Sequence, residues 1–382
     1  MINKSIYLLF IPCLLFAQDD YEKWLKERQE SLNTFKAEQD NYIATVTKEF
    51  DDYVAEQERL FEDFKKEVEK SWDEFKSSTN KTYVDYDSDL NARGSIDFEK
   101  GVVEIEVIVD DDPNLTDQEK KQAGDEKLKE KLADMVTKKA DDKQTLLKDQ
   151  LADDKGKKVT PLTAKSFAKD VVKEKAYKKH EFKSKDGKKK IKYGVKVFMQ
   201  PDHVKTRAGR FKKAVLTQSK RFKIDPAIAF AIMHTESSFN PKARSHIPAY
   251  GLMQLVPNSG ARDAYNYVYK QDRLLSDTYL YVPANNIELG CAFIAKIRYD
   301  YFKNIKDEKS AYLCTISAYN TGIGNVAITL TGKAKLGPTA DKVNTMKSDK
   351  LYKMLKMKLP YAETRNYLKK VTERIDYYRT WI

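Results

Sequence analysis

The chain has 382 residues, with 70 Lys and Arg against 58 Asp and Glu, a formal net charge of +12 and 3 Cys. That length predicts two or three domains, and 41% hydrophobic residues is too apolar for a wholly disordered chain. Three Cys exclude a disulfide scaffold and any four-cysteine zinc module, whereas the positive charge fits nucleic acid, membrane surface or acidic polysaccharide alike.

Asn3 and Lys4 precede an apolar run from Ile6 to Ala17, and Gln18-Asp19-Asp20 follows. This pattern reads as a secretory signal over residues 1–17, too short to cross a hydrocarbon core of about 30 Å as a helix. Two processing sites compete. Cleavage after Ala17 is preferred, although Leu15 stands where a small residue is usual. The other is lipid modification at Cys13, where Phe10-Ile11-Pro12 makes a poor lipobox. Cys291 and Cys314 either pair in an oxidising compartment or pack as small buried residues of two helices, the preferred reading.

Between Asp19 and Arg93 there is no Gly and no Pro. Tyr21, Trp24, Leu25, Leu32, Phe35, Tyr42, Val46, Phe50, Tyr53, Leu60, Phe64, Val68, Trp72 and Phe75 fall at helical spacing, which predicts a long amphipathic helix. One helix of about 58 residues would be roughly 88 Å long, so a break into two packed helices is the alternative. The aromatic-rich stripe is read as a packing face. Ile96 and Phe98, Lys100-Gly101, then Val103, Ile105, Val107 and Val109 alternate as a β-hairpin. The charged segment from Asp117 to Lys158 is helical by composition, with Leu128, Leu132, Met135, Leu146, Leu147 and Leu151 on one side. A second hairpin is expected around Asp186-Gly187, between Phe182 and Ile191, Tyr193, Val195 and Val197. From Val204 onward the pattern is short helices with turns at Asn240-Pro241, Pro257-Asn258 and Pro283.

The basic excess has a place along the chain. Residues 201–382 hold 31 Lys and Arg against 15 Asp and Glu, a net +16, whereas residues 1–200 hold 39 against 43, a net −4. A solvated lysine surface is the bland explanation of this excess. Nucleic acid is set aside as a partner, because basic charge is its only support.

The informative stretch begins at Ile224-Asp225-Pro226, an Asp before a Pro that marks a helix start. The helix continues through apolar residues to His234-Thr235-Glu236, then Ser237-Ser238-Phe239-Asn240-Pro241. A carboxylate at a helix C-terminus beside buried side chains faces the negative end of the dipole in a dry setting. Both effects favour its protonated form, as a general acid requires. Taken alone, a Glu at a helix end is more often a surface residue. His234-Thr235-Glu236 also fits the H-x-E half of a zinc-deaminase signature, but the P-C-x-x-C half is missing. His180, His203, His234 and His246 show no metal-ligand spacing and there is no phosphate-binding glycine loop, so neither metal nor cofactor is expected.

Glu236 gains weight from its company. Gly251-Leu252-Met253-Gln254-Leu255-Val256-Pro257 follows, then Asn286-Ile287-Glu288-Leu289-Gly290, Ala318-Tyr319-Asn320-Thr321-Gly322, and Pro360-Tyr361-Ala362-Glu363-Thr364 before Tyr367. In these ordered motifs the sequence resembles the soluble lytic transglycosylase family, whose catalytic domain has a goose-lysozyme-like fold. Ala92 to Gly101, after a Trp- and Phe-rich helical stretch, is similar to the leader domain of a membrane-bound branch of that family.

The resemblance implies cleavage of the β-1,4 bond between N-acetylmuramic acid and N-acetylglucosamine in peptidoglycan glycan strands, with closure of a 1,6-anhydro ring. Glu236 would be the sole general acid and base. Ser237 would fix the turn or bond the substrate, Met253 would line the groove, and Gln254 would present its amide to a sugar. Tyr319 would place its hydroxyl near the reacting centre, Asn320 would brace the turn or substrate, and Tyr367 would close the site. Glu288 and Glu363 are read as a helix-start charge and as a structural or peptide-stem contact. For Ser237, Tyr319 and Tyr367 a purely structural role stays open. A hydrolytic lysozyme-type muramidase and a non-catalytic wall-binding or scaffold protein are the alternatives.

The expectation is therefore an α+β protein, mainly α. A signal peptide over 1–17 is followed by an α+β leader domain over 18–200 with a long amphipathic helix or helical hairpin. An all-α lysozyme-like domain over 201–382 completes it. The expected location is the periplasm, with anchoring to the outer membrane through Cys13 as the open option and protein partners unspecified.

Overall fold

The structure is a computed structural model describing residues 11–245 and 248–382. Most of the expected export signal, the side chain of Cys13, and His246 lie outside the described residues. Contacts divide the chain into Met1–Leu60 and Phe61–Ile382. No described helix is long and apolar enough to cross a membrane.

Helix α1 is Ile11–Ser71, uninterrupted, so the alternative of two packed helices is not adopted. An unbroken run of helix formers without Gly or Pro gives the backbone no reason to turn. Trp24, Phe35 and Tyr42 on its stripe are exposed, whereas Val68 and Trp72, near its end, are buried.

Strands β1 (Thr82–Tyr86), β2 (Ala92–Asp97) and β3 (Val102–Asp110) follow, then helix α2 (Asp117–Thr137), helix α3 (Ala164–Lys175), and strands β4 (Tyr177–Lys183) and β5 (Lys189–Phe198). The sheet is antiparallel in order β1-β2-β3-β5-β4, with both expected hairpins present. Gly101 takes a left-handed turn (φ 67°), and a Cβ there would lie 2.6 Å from His203 Nε2, so the hairpin presses closely on the following domain. Ile96, Ile105, Val107, Tyr193 and Val195 bury one sheet face against Leu128, Leu132 and Met135 of α2 and Phe167 and Val171 of α3.

The segment expected to stay helical to Lys158 leaves the helix after Thr137. Asp141 Oδ1 accepts from Lys143 N and Gln144 N, and Asp153 Oδ1 accepts from Lys155 N and Lys157 N. These local turns satisfy the backbone without a helix, and they let Leu146, Leu147 and Leu151 enter the sheet core from a loop.

The remainder is all helical: α4 (His203–Phe222), α5 (Pro226–Ser237), α6 (Arg262–Tyr269), α7 (Asp277–Leu280), α8 (Pro283–Lys296), α9 (Glu308–Thr321), α10 (Ile323–Thr331), α11 (Leu336–Asn344), α12 (Ser348–Lys358) and α13 (Ala362–Trp381). Helix α5 is the central post of this bundle. Asp225 caps it by accepting from Ala227 N at 2.8 Å, Pro226 opens it, and Ala227 to Met233 are all buried. The architecture is α+β and mainly α, as the residue pattern predicts. Cys291 and Cys314 are buried free thiols, and burial pushes both up to about 12. The preferred of the two cysteine readings is the one observed.

Candidate active site

Glu236 is the penultimate residue of α5, at the end of a helix with almost no polar surface. Its last turn is fixed from several sides. Ser237 Oγ donates to Met233 O and, at 2.7 Å, to Leu252 O. Arg374 Nη1 of α13 donates to Thr235 Oγ1 at 2.7 Å, and Tyr378 Oη pairs with His234 Nδ1 at 3.0 Å. Arg207, 1% exposed, donates through Nε to Ser238 O and through Nη1 to Gln150 Oε1 and His203 Nδ1. Asn80, just before β1, donates through Nδ2 to Glu236 O at 2.7 Å.

These bonds fix the last turn of the helix, and none of them reaches the Glu236 carboxyl. Burial pushes it up to about 8, Tyr367 and Lys81 oppose the shift, and Glu363 adds to it. It is therefore largely protonated at neutral pH. Tyr367 Oη is buried and makes no hydrogen bond of ordinary length, yet it lies close enough to favour the carboxylate. Tyr319 Oη donates to Met253 O at 2.8 Å. Both phenols are raised well above the usual range by burial, with the Glu236 charge adding to it, so they remain neutral donors.

The loop after α5 carries the next motif. Asn286 of α8 is fully buried and pins it: Met253 N donates to Asn286 Oδ1 at 2.8 Å, and Asn286 Nδ2 donates to Tyr250 O and Leu280 O. Gly251 is left-handed (φ 74°), and a Cβ there would lie 2.5 Å from Asn286 Nδ2 and Leu280 O. A Cβ on Gly290 would lie 2.1 Å from Met253 Sδ, which accounts for the absence of a side chain. Gln254 is left-handed (φ 48°) and its Nε2 donates to Gly251 O at 3.0 Å.

Gln254, Tyr319 and Asn320 line one cavity of about 280 Å³ together with Val256, Phe293 and Ile323. The expected residues therefore fall into four groups. Gln254, Tyr319 and Asn320 share a groove, while Glu236 and Tyr367 interact beside it, linked to the groove through Tyr319. Ser237 and Met253 are fully buried beneath, so Met253 supports the groove wall from the core rather than facing it. Glu363 is exposed at the start of α13. Glu288 sits well inside α8 rather than at its start, taking Arg221 and Tyr269 Oη as partners.

Sequence reasoning missed Asn80, Arg207 and the role of Asn286. Asn286 was legible in principle, as the first residue of the Asn286-to-Gly290 motif in the first turns of α8. Nothing in the local sequence marks the other two. Among the described residues no group of three or more His, Cys, Asp or Glu is arranged to hold a metal ion.

Residues 213–339 match the family model of the transglycosylase SLT domain, and residues 43–210 match that of the membrane-bound lytic murein transglycosylase C N-terminal domain. A membrane-bound lytic murein transglycosylase C of Klebsiella pneumoniae is 36% identical over 197 residues, 52% of this chain and 54% of that relative. The one from Haemophilus ducreyi is 37% identical over 182 residues, 47% of this chain and 48% of the relative. The chain thus aligns with about half the length of these curated relatives. A solved lytic transglycosylase Slt from Pseudomonas aeruginosa is 26% identical with a TM-score of 0.33, covering 43% of this chain and 23% of that one. Glu236, Gln254, Tyr319 and Asn320 all lie inside the stretch matched by the SLT transglycosylase domain. Glu363 and Tyr367 lie beyond it.

Proposed function

We propose that the chain is a peptidoglycan lytic transglycosylase with Glu236 as its only general acid and base. A signal peptide over 1–17 would precede a leader over 18–200 and a catalytic domain over 201–382. The observation that carries this reading is the Glu236 carboxyl, raised to about 8 by burial at the end of α5 within an SLT transglycosylase match.

A proton held at neutral pH is what the first step needs. Glu236 gives it to the oxygen linking N-acetylmuramic acid to N-acetylglucosamine, and the bond from that oxygen to C1 breaks. The resulting carboxylate takes the proton from the muramoyl C6 hydroxyl, whose oxygen bonds to C1 and closes the 1,6-anhydro ring. No water is consumed, and the proton count of Glu236 is restored. Glycosidases that hold a water or a covalent sugar use two carboxylates. An internal hydroxyl replaces the second one, with effective molarity up to about 10⁵ M or more when aligned.

Gln254 and Asn320 would then bind sugar or N-acetyl groups in the groove they line, and Tyr319 would shape its floor beside Glu236. The spare hydroxyl of Tyr367 would steady the Glu236 carboxylate in the second half-step. Ser237 would act through the turn, Met253 by backing the wall, and Glu363 as an exposed contact for a peptide stem. A peptidoglycan substrate fits a periplasmic protein, with Cys13 the position at which an outer-membrane anchor would be attached. Palmitate labelling compared with Cys13→Ala tests the anchor.

Mass spectrometry of purified cell wall digested by the protein tests the function. Anhydro-muropeptides are expected. Reducing-end products would make the protein a hydrolytic muramidase, and no release by folded protein would leave a wall-binding scaffold.

A further inference from the structure

The final carbonyls of α5 lack partners within the helix, as at every helix C-terminus. Ser238 N and Asn240 N satisfy His234 O and Ser237 O from nearby in the chain. The carbonyl of Glu236 itself is reached from 156 residues away, by Asn80 Nδ2. The turn that presents Asn80 is fixed independently of this contact. Thr79 N donates to Thr82 O at 3.0 Å, and Thr79 Oγ1 accepts from Lys81 N and Thr82 N. Phe98 N donates to Lys81 O at 2.9 Å, tying the turn to the β2–β3 hairpin. Lys81 Nζ is held by Glu99 of that hairpin, and the Lys81 side chain is only 16% exposed.

We infer that Asn80 and Lys81 are positioning residues for Glu236, so that the leader supplies part of the catalytic end of α5. The inference rests on reading Glu236 as the acid. Asn80 sets its donor dipole against the negative end of the helix and ties the backbone of Glu236 to a rigid turn. Lys81 brings a positive charge from the leader that favours the Glu236 carboxylate. The other groups bearing on that carboxyl are Glu363 and Tyr367 from α13 and Tyr319 from α9. Of these, Glu363 opposes ionisation, and the two phenols are neutral. Lys81, paired with Glu99, acts on Glu236 from outside the helical bundle, while Arg374 of α13 is bound to Thr235 beside it. The leader therefore weakens the hold of the acid on its proton, against the larger effect of burial.

Two readouts test this on the full chain. One is the pH–rate profile of muropeptide release. Lys81→Met is expected to move its alkaline limb up by about half a pH unit or more, and Lys81→Arg to restore it. Asn80→Ala is expected to lower kcat roughly tenfold with KM little changed, because a misplaced acid loses alignment rather than binding. The other readout is a carbon-13 NMR titration of the glutamate carboxyls, with Glu236→Gln assigning the signal. There Lys81→Met should raise the Glu236 midpoint. An unmoved midpoint in Lys81→Met, or unchanged kcat in folded Asn80→Ala, would overturn the inference. Wild-type protein that releases nothing would instead overturn the functional reading, and the titration would still decide what Lys81 does.

Discussion

Burial bears on the carboxyl groups of Glu106 and Glu236, and the two end in opposite charge states. Glu106 on β3 is 1% exposed, and Glu236 closes α5. Burial by itself pushes both towards the protonated form. At Glu106 that push is overwhelmed: Arg93 Nε lies 2.7 Å from Oε2, Lys76 is also at 2.7 Å, and Lys179 holds the other oxygen. Its carboxyl is held well below the usual carboxylate range. Arg93 is itself 0% exposed and stacks 4.2 Å over the Trp72 ring, so the pair is locked by packing as well as charge. At Glu236 the surrounding bonds go to the backbone, and burial prevails. The sheet spends a carboxylate on structure, whereas the bundle keeps a proton available for chemistry.

The strongest way to break this contrast is Glu236→Gln. Release of muropeptides should fall by about 10²–10⁴-fold with the circular dichroism unchanged, and retained activity would remove Glu236 as the acid. Next in size is Arg93→Met, which strands Glu106 between two lysines and should cost about 2–4 kcal/mol in urea unfolding at pH 7. A carboxylate depressed in the folded state contributes stability above its ordinary pKa and loses it as pH falls. The cost should therefore shrink below about pH 4. Glu236 predicts the reverse. A raised carboxyl imposes no penalty below its ordinary pKa and a growing one as pH rises towards about 8. Glu236→Gln should then stabilise the fold by about 1–3 kcal/mol at pH 8 and leave it unchanged at pH 4. The smallest expected effect is a few-fold slowing of digestion as salt is raised from 0.01 to 0.15 M. It reflects screening of the +16 half from an acidic wall polymer.

Much of this contrast was legible on one side. Asp225-Pro226 and the apolar run to Met233 announce α5, its start and the dry setting of Glu236, because capping and hydrophobicity act locally. The two hairpins were equally plain, from alternation around Lys100-Gly101 and Asp186-Gly187. Strand β1 was missed, although Thr82-Tyr83-Val84 has the residue types that favour a strand. The end of α2 was missed because Asp141 and Asp153 make turns whose outcome the pull of the sheet core decides. The cations around Glu106 come from three segments of the chain, and Asn80 meets Glu236 across 156 residues. Such encounters follow from tertiary packing, and no local pattern announces them.

The central claim is that Glu236 carries its proton at neutral pH. The infrared difference spectrum of wild type minus Glu236→Gln at pH 7 tests it directly. The account predicts a protonated-carboxyl C=O band that fades as pH rises through about 8. A difference spectrum showing only an ionised carboxylate at pH 7 would contradict it.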